Sequence, residues 1–323
     1  GRAGTPGRRS KHSIMTTRTI RRSQRDATSD RGRRHQRDGA LGARAAFLGP
    51  AVGLLAILVA YPLGHNVLMS LQDVPASLVG GRFIGLANFA QLAADQRFWA
   101  ATSRTLLYSV GSVLVELVIG IAYAVLLDRE FRGRGVLRAV FLIPMIATPV
   151  AVAMVWRLMF QPDLGLFATI ASSLGLPPIN WISDPILALP SLMLVDVWQW
   201  TPFIALMVLA GLASLPKELQ EAAMVDGAGP WQRFWRITLP SLRPVIAVAA
   251  VTRLIEAMRT FDPIYVITGG GPGQATETLN LYAYNVVFQF LKPGYGAALV
   301  LVFVFVMLVF GVLVAKLSQR PVE

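Results

Sequence analysis

Between two long apolar runs lies the stretch LPKELQEAAMVDGAGPWQRFWRITLP, residues Leu215–Pro240. Pro216 suits the first turn of a helix, where a missing N–H costs nothing, and Gly227 suits the left-handed stop just past its end. The helix between them is about 11 residues, roughly 16 Å at 1.5 Å per residue. Ala222 and Ala223 are small, so a partner can approach that backbone closely, and Glu218, Glu221 and Asp226 place charge at the two ends of the contact. A second short helix, Pro230 to Arg236, is expected to brace the first through Trp231, Phe234 and Trp235. The ordinary alternative is an amphipathic helix lying on lipid headgroups with tryptophan anchors. Three acids and few large apolar groups make the first helix a poor ligand for an anionic leaflet and a good knob for a protein groove.

The flanking runs, Ile186–Leu212 and Pro244–Ile267, are each long enough to cross a bilayer, which takes about 20 mainly apolar residues. Four more qualify: Ala45–Met69, Thr105–Leu127, Val136–Met159 and Ala297–Lys316. The first exceeds the roughly 7–15-residue core of a secretory signal and is read as an uncleaved span. Pro144, Pro149, Pro190 and Pro202 fall inside spans, which membrane helices tolerate when neighbours satisfy the freed carbonyls. The prediction is an all-α integral membrane protein of six transmembrane helices.

Charge orients it. The chain is 54% apolar and 15% charged, against about 25% charged in soluble domains, yet carries a net +12. Residues 1–44 hold 13 of the 30 Lys and Arg, with no large apolar pattern, and read as a disordered basic tail touching anionic lipid. Met15 within it is an alternative start. With the tail inside, inner segments carry 23 basic residues and outer loops only Arg82, Arg97, Arg104 and Lys292. By the positive-inside rule both termini are cytoplasmic and the plasma (inner) membrane is crossed repeatedly. The expected organisation is the tail 1–44, a membrane domain 45–317 with its loop at 213–243, and a short cytoplasmic end 318–323.

Catalytic equipment is missing. No Gly-x-x-x-x-Gly-Lys-Ser/Thr cradle is present, and Thr268-Gly269-Gly270-Gly271-Pro272-Gly273 lacks the lysine. Three histidines and no cysteine leave neither a transition-metal set nor a disulfide framework. Gly-x-Ser-x-Gly and His-Glu-x-x-His are absent. Transport, with energy supplied by another chain, is the leading expectation, and an integral membrane enzyme is the rival from another class.

The residues Glu221-Ala222-Ala223-x-x-Asp226-Gly227-Ala228, followed by Ile237-x-Leu239-Pro240-x-Leu242-x-Pro244, resemble the EAA loop of permease subunits of binding-protein-dependent ABC importers. Gly85-Leu86-x-Asn88-Phe89, Trp156-Arg157-x-x-Phe160 and Phe261-Asp262-x-x-Tyr265-Val266-x-Thr268-x-Gly270-Gly271-Pro272 agree with its sugar branch, typified by maltose and glycerol-phosphate systems. Within that branch the chain is similar to permeases of mycobacterial trehalose importers. The likeness covers roughly residues 45–317. It implies a type I importer fold, a second homologous permease as heterodimer partner, two ATPase subunits and an extracytoplasmic solute-binding protein. The implied cargo is a sugar, a disaccharide such as trehalose, with glycerol-3-phosphate as the alternative solute. No cofactor is implied in this chain, since ATP and magnesium belong to the ATPases. Glu218, Glu221, Ala222, Ala223, Asp226 and Gly227 would couple to an ATPase groove, and Gly270, Gly271 and Pro272 would face the binding protein.

Ionisable residues within spans are functional candidates by default. Here they are Glu116, Asp196, Arg253, Glu256 and Arg259. Spacing of three lets Arg253, Glu256 and Arg259 share one face, either as a self-neutralising ladder or as the wall of a sugar cavity. Asp196 to Phe203 adds aromatic and polar groups around Pro202. The candidate pathway residues are Gln199, Trp200, Phe203, Arg253, Glu256, Arg259 and Thr260, and Glu116 is expected to pair between helices or subunits.

Overall fold

A computed structural model describes residues 1, 3–4, 48–50, 52–75, 80–177 and 179–318. The readings of the basic tail, of Met15 and of most of the C-terminal end lie outside the described residues. The chain divides into two units, Gly1–His65 and Asn66–Glu323. The first contains most of α1, Leu48–Ser70, an apolar helix of 23 residues, about 35 Å long at 1.5 Å per residue.

Among its described residues the regular structure of the second unit is helical apart from a two-stranded antiparallel pair, β1 Gln72–Asp73 and β2 Arg82–Phe83, in the register Gln72↔Phe83. Its helices are α2 Ala87–Ala94, α3 Gln96–Asp128, α4 Arg134–Ile146, α5 Pro149–Met159, α6 Leu166–Ser173 and α7 Ala188–Ala213. Then come α8 Lys217–Val225, α9 Pro230–Arg233, α10 Leu239–Met258, α11 Asp262–Ile267, α12 Leu279–Tyr284 and α13 Pro293–Ser318. Among the described residues, five helical stretches are long and apolar enough to cross a membrane, and six if α4 and α5 count as one broken span.

Span three departs from the expected single helix over Val136–Met159. It breaks at Ala147–Thr148, and α4 and α5 meet at 97°. The residue before a proline is pushed out of the helical region, and Thr148 ahead of Pro149 is extended at φ −65°, ψ 137°. Pro144 and Pro202, by contrast, are absorbed inside α4 and α7. Span five also differs from the expected Pro244–Ile267. Its helix begins earlier, because α9 runs through a turn of π-helix, Phe234–Thr238, straight into α10. There the Leu239 N–H donates to Phe234 O, five residues back, next to Pro240, which has no N–H to give. The second short helix predicted at Pro230–Arg236 is therefore the start of span five.

Lipid tails are as apolar as leucine, so close packing and polar contacts hold membrane helices together. Gly120 of α3 lies against α7, where a Cβ would come within 2.7 Å of Ile204. Gly211 of α7 lies against α10, where a Cβ would meet Leu242 at 2.8 Å. These two small residues let α3, α7 and α10 close into a three-helix centre around Ala124, Ile204, Val208, Leu242 and Ala249.

Candidate functional site

At the end of this centre where α7 gives way to α10, α8 stands out from the bundle. Its end is sealed as the glycine predicts: Gly227 has φ +80°, Ala228 N–H reaches Ala223 O at 2.9 Å, and Gly227 N–H reaches Met224 O at 3.1 Å. That pair of bonds is the Schellman closure. Ala223 is buried, whereas Glu218, Glu221, Ala222, Asp226 and Gly227 are exposed. Leu219, Met224 and Val225 are exposed beside them, so the helix offers more apolar surface than its composition suggested. Trp231, Phe234 and Trp235 meet one another tilted or edge-on, with ring centroids 5.3–6.2 Å apart, and Trp231 and Trp235 are exposed.

The charges at membrane depth form two separate groups. Arg253 of α10 makes a bidentate pair with Glu116 of α3, Nε and Nη2 each 2.8 Å from a carboxylate oxygen, and Nη2 also donates to Asp196 of α7 at 3.0 Å. The three side chains are 2%, 0% and 2% exposed, and the Trp200 ring covers the guanidinium at 4.9 Å. Two further hydroxyls of α3, Tyr108 Oη and Ser112 Oγ, are buried without a partner. The second group is Glu256 and Arg259, paired at 3.3 Å and 52% and 59% exposed. Thr260 Oγ1 donates to Glu256 O, and Asn280 of α12 donates to Arg259 O. The expected common face for Arg253, Glu256 and Arg259 is thus corrected: Arg253 turns inward to carboxylates on two other helices.

Gln199 is likewise internal. Its Nε2 donates to Ala147 O at 3.3 Å, holding the residue that closes α4 at the bend. Trp200 and Phe203 are half-buried. Sequence reading named Glu116, Asp196 and Arg253 but had no means of joining residues 137 and 57 positions apart.

The opposite end carries polar ties that no local pattern announces. Arg97 grips Glu277 with two bonds of 2.7 Å, and Asn285 adds a third to the same carboxylate. Asp95, the N-cap of α3, accepts from the phenols of Tyr282 at 2.5 Å and Tyr295 at 2.6 Å and from Arg97 N–H at 2.8 Å. Burial works to raise the Asp95 carboxyl, but these hydrogen bonds outweigh it and hold it below the usual carboxylate value. Burial and the bond to Asp95 push the Tyr282 phenol up to about 12. The glycine segment is knitted rather than slack. Thr276 Oγ1 contacts Thr268 Oγ1 at 2.7 Å and Gly271 O at 2.8 Å, and Gly270 takes φ +90°. Gly270 is buried, whereas Gly271 and Pro272 are partly exposed.

Comparison with known proteins gives these arrangements a context. The family model described as "Binding-protein-dependent transport system inner membrane component" matches residues 116–322. The chain is 40% identical over 259 residues to the trehalose/maltose transport system permease protein MalF of Thermococcus litoralis, covering 80% of this chain and 88% of that protein. It is 35% identical over 264 residues to the trehalose transport system permease protein SugA of Mycobacterium tuberculosis, covering 80% and 84%. In fold it is similar to a chain of a bacterial ABC transporter involved in the import of the acidic polysaccharide alginate. The TM-score is 0.77 over 89% of this chain and 98% of that one, at 24% identity.

Proposed function

Since the chain belongs to the family of binding-protein-dependent transport system inner membrane components, we propose that it is the permease subunit of an ATP-driven importer of a sugar, a disaccharide such as trehalose or maltose. It sits in the inner membrane as a multi-pass protein, with both termini cytoplasmic as the basic residues require. A second homologous permease completes the path, an external binding protein delivers the sugar past Gly270–Pro272, and two ATPase subunits hold ATP and magnesium. This chain's part is mechanical: α8 enters an ATPase groove, and its motion rocks the spans between inward-facing and outward-facing states.

The observation that carries this reading is α8 itself. A nine-residue helix, closed by Gly227 at positive φ, presents exposed acids, the small Ala222 and exposed Leu219, Met224 and Val225. That surface fits a protein groove. The path is lined by Trp200, Phe203, Glu256, Arg259 and Thr260, while Arg253 and Gln199 hold its wall from behind. A phosphate-bearing solute loses its main support, because Arg253 is already neutralised by two carboxylates and the remaining pair is balanced.

The test is uptake in proteoliposomes containing both permeases, the ATPases and the binding protein. Glu221→Lys reverses the charge of the knob, and Gly227→Pro is incompatible with φ +80° because proline is locked near −65°. Both are expected to reduce uptake to background and uncouple ATP hydrolysis while leaving membrane insertion intact. Wild-type uptake by either variant would sink the coupling assignment.

A further inference from the structure

Beyond the charged pair at the end of α10, two short helices bring four aromatic rings together. Phe261 and Tyr265 are four residues apart across the start of α11, and their rings stack at 5.2 Å and 14°. Tyr284 closes α12, and Phe288 stands on the π-helical turn Asn285–Gln289 that continues it. Tyr284 meets Phe261 at 5.2 Å, Tyr265 at 5.5 Å and Phe288 at 5.1 Å. The rings therefore form a short stripe whose broad end is the triangle of Phe261, Tyr265 and Tyr284 and whose tip is Phe288, held through Tyr284 alone. Phe261 and Tyr284 are half-buried, Tyr265 is 43% exposed and Phe288 67% exposed, so the stripe opens progressively away from α10.

Its inner end is polar. Asn280, one helical turn before Tyr284, donates to Arg259 O at 2.6 Å, which ties α12 to the exposed Glu256–Arg259 pair and Thr260. That pair decides what the surface can face. Charged side chains directed at hydrocarbon are costly, and in spans they face protein or water instead. A surface that joins aromatic rings, one pair stacked and the others tilted or edge-on, to a carboxylate, a guanidinium, an amide and a hydroxyl has the chemistry a carbohydrate needs. The C–H face of a sugar ring lies against an aromatic face, and its hydroxyls take planar polar partners.

We propose that Phe261, Tyr265, Tyr284 and Phe288 form an aromatic track that receives a sugar ring at the outer end of span five and passes it to the Glu256–Arg259–Thr260 patch. The track rests on the sugar-permease reading.

The experiment measures initial uptake of radiolabelled maltose and trehalose by the complete reconstituted importer at saturating binding protein. The variants are Tyr265→Ala and Phe288→Ala, with Tyr265→Phe and Phe288→Trp as conservative partners. The KM for uptake should rise about tenfold in the alanine variants and return toward wild type in the conservative ones. The second permease and the ATPases should copurify undiminished. Loss of the second permease from the alanine variants would overturn the track and make the stripe a subunit contact. Unchanged KM with normal wild-type uptake would overturn the track alone. Uptake of neither sugar by the wild type would overturn the track and the sugar reading together.

Discussion

Two groups of charge sit on one helix and live in opposite surroundings. Arg253 is shut between Glu116 and Asp196 on α3 and α7, under the Trp200 ring. Glu256 and Arg259, within two turns of it, are more than half exposed, and their side chains pair with each other. At 3.6 residues per turn, three residues leave side chains about 60° apart and six about 120°. That angle is enough to send one group into the bundle and the other out of it. The lesson is that an ionisable residue in a span carries two distinct meanings, and neighbourhood in sequence does not tell them apart. The buried group holds helices together. The exposed pair needs a surface that lipid cannot provide.

The comparison breaks most visibly at Arg253. Arg253→Leu leaves two carboxylates buried without a counter-charge, and removing one partner of such a group costs about 3–5 kcal/mol. The variant should fail to accumulate as folded complex, seen as lost yield and lowered melting temperature in detergent. Replacing all three side chains by leucine removes the buried charge as well, and such replacements are often neutral or stabilising. Recovery of folded complex in that triple variant would confine the triad to a structural role. Glu256→Gln together with Arg259→Gln should do the reverse. Melting is expected to stay within about 0.5 kcal/mol of wild type, as for surface changes, while disaccharide uptake falls. A smaller effect belongs to Asp95. Asp95→Ala strands the Tyr282 and Tyr295 phenols, and a loss of about 1–2 kcal/mol is expected after discounting for partial exposure. Because its carboxyl is held below the ordinary value of 3.8, the stabilisation it gives is complete above that value. It is lost only as pH falls through the lower folded value. Melting of the wild type between pH 5 and 8, followed beside Asp95→Ala, should therefore show a constant difference.

The spans were legible because bilayer thickness sets the length of an apolar run whatever its partners. The α8 knob was legible because Pro216 and Gly227 mark its ends by backbone chemistry alone. The bend between α4 and α5 was half legible. Pro149 announced itself, but so did Pro144 and Pro202, which stayed inside helices. What distinguishes the break is an extended Thr148 and a distant amide, Gln199, on the Ala147 carbonyl. The triad, the Arg97–Glu277 tie and the aromatic stripe join residues from separate elements. No spacing within one helix contains them.

The triad also sets an order of events during synthesis. Arg253 is made 57 residues after Asp196 and 137 after Glu116. Two carboxylates are thus committed to the bilayer before the guanidinium that neutralises them exists. A nascent chain halted ahead of α10 carries these two acids without Arg253, so α3 and α7 have to be sheltered in the interval. The ribosome delivers the counter-ion with the fifth span, and α10 becomes the closing piece of its own bundle.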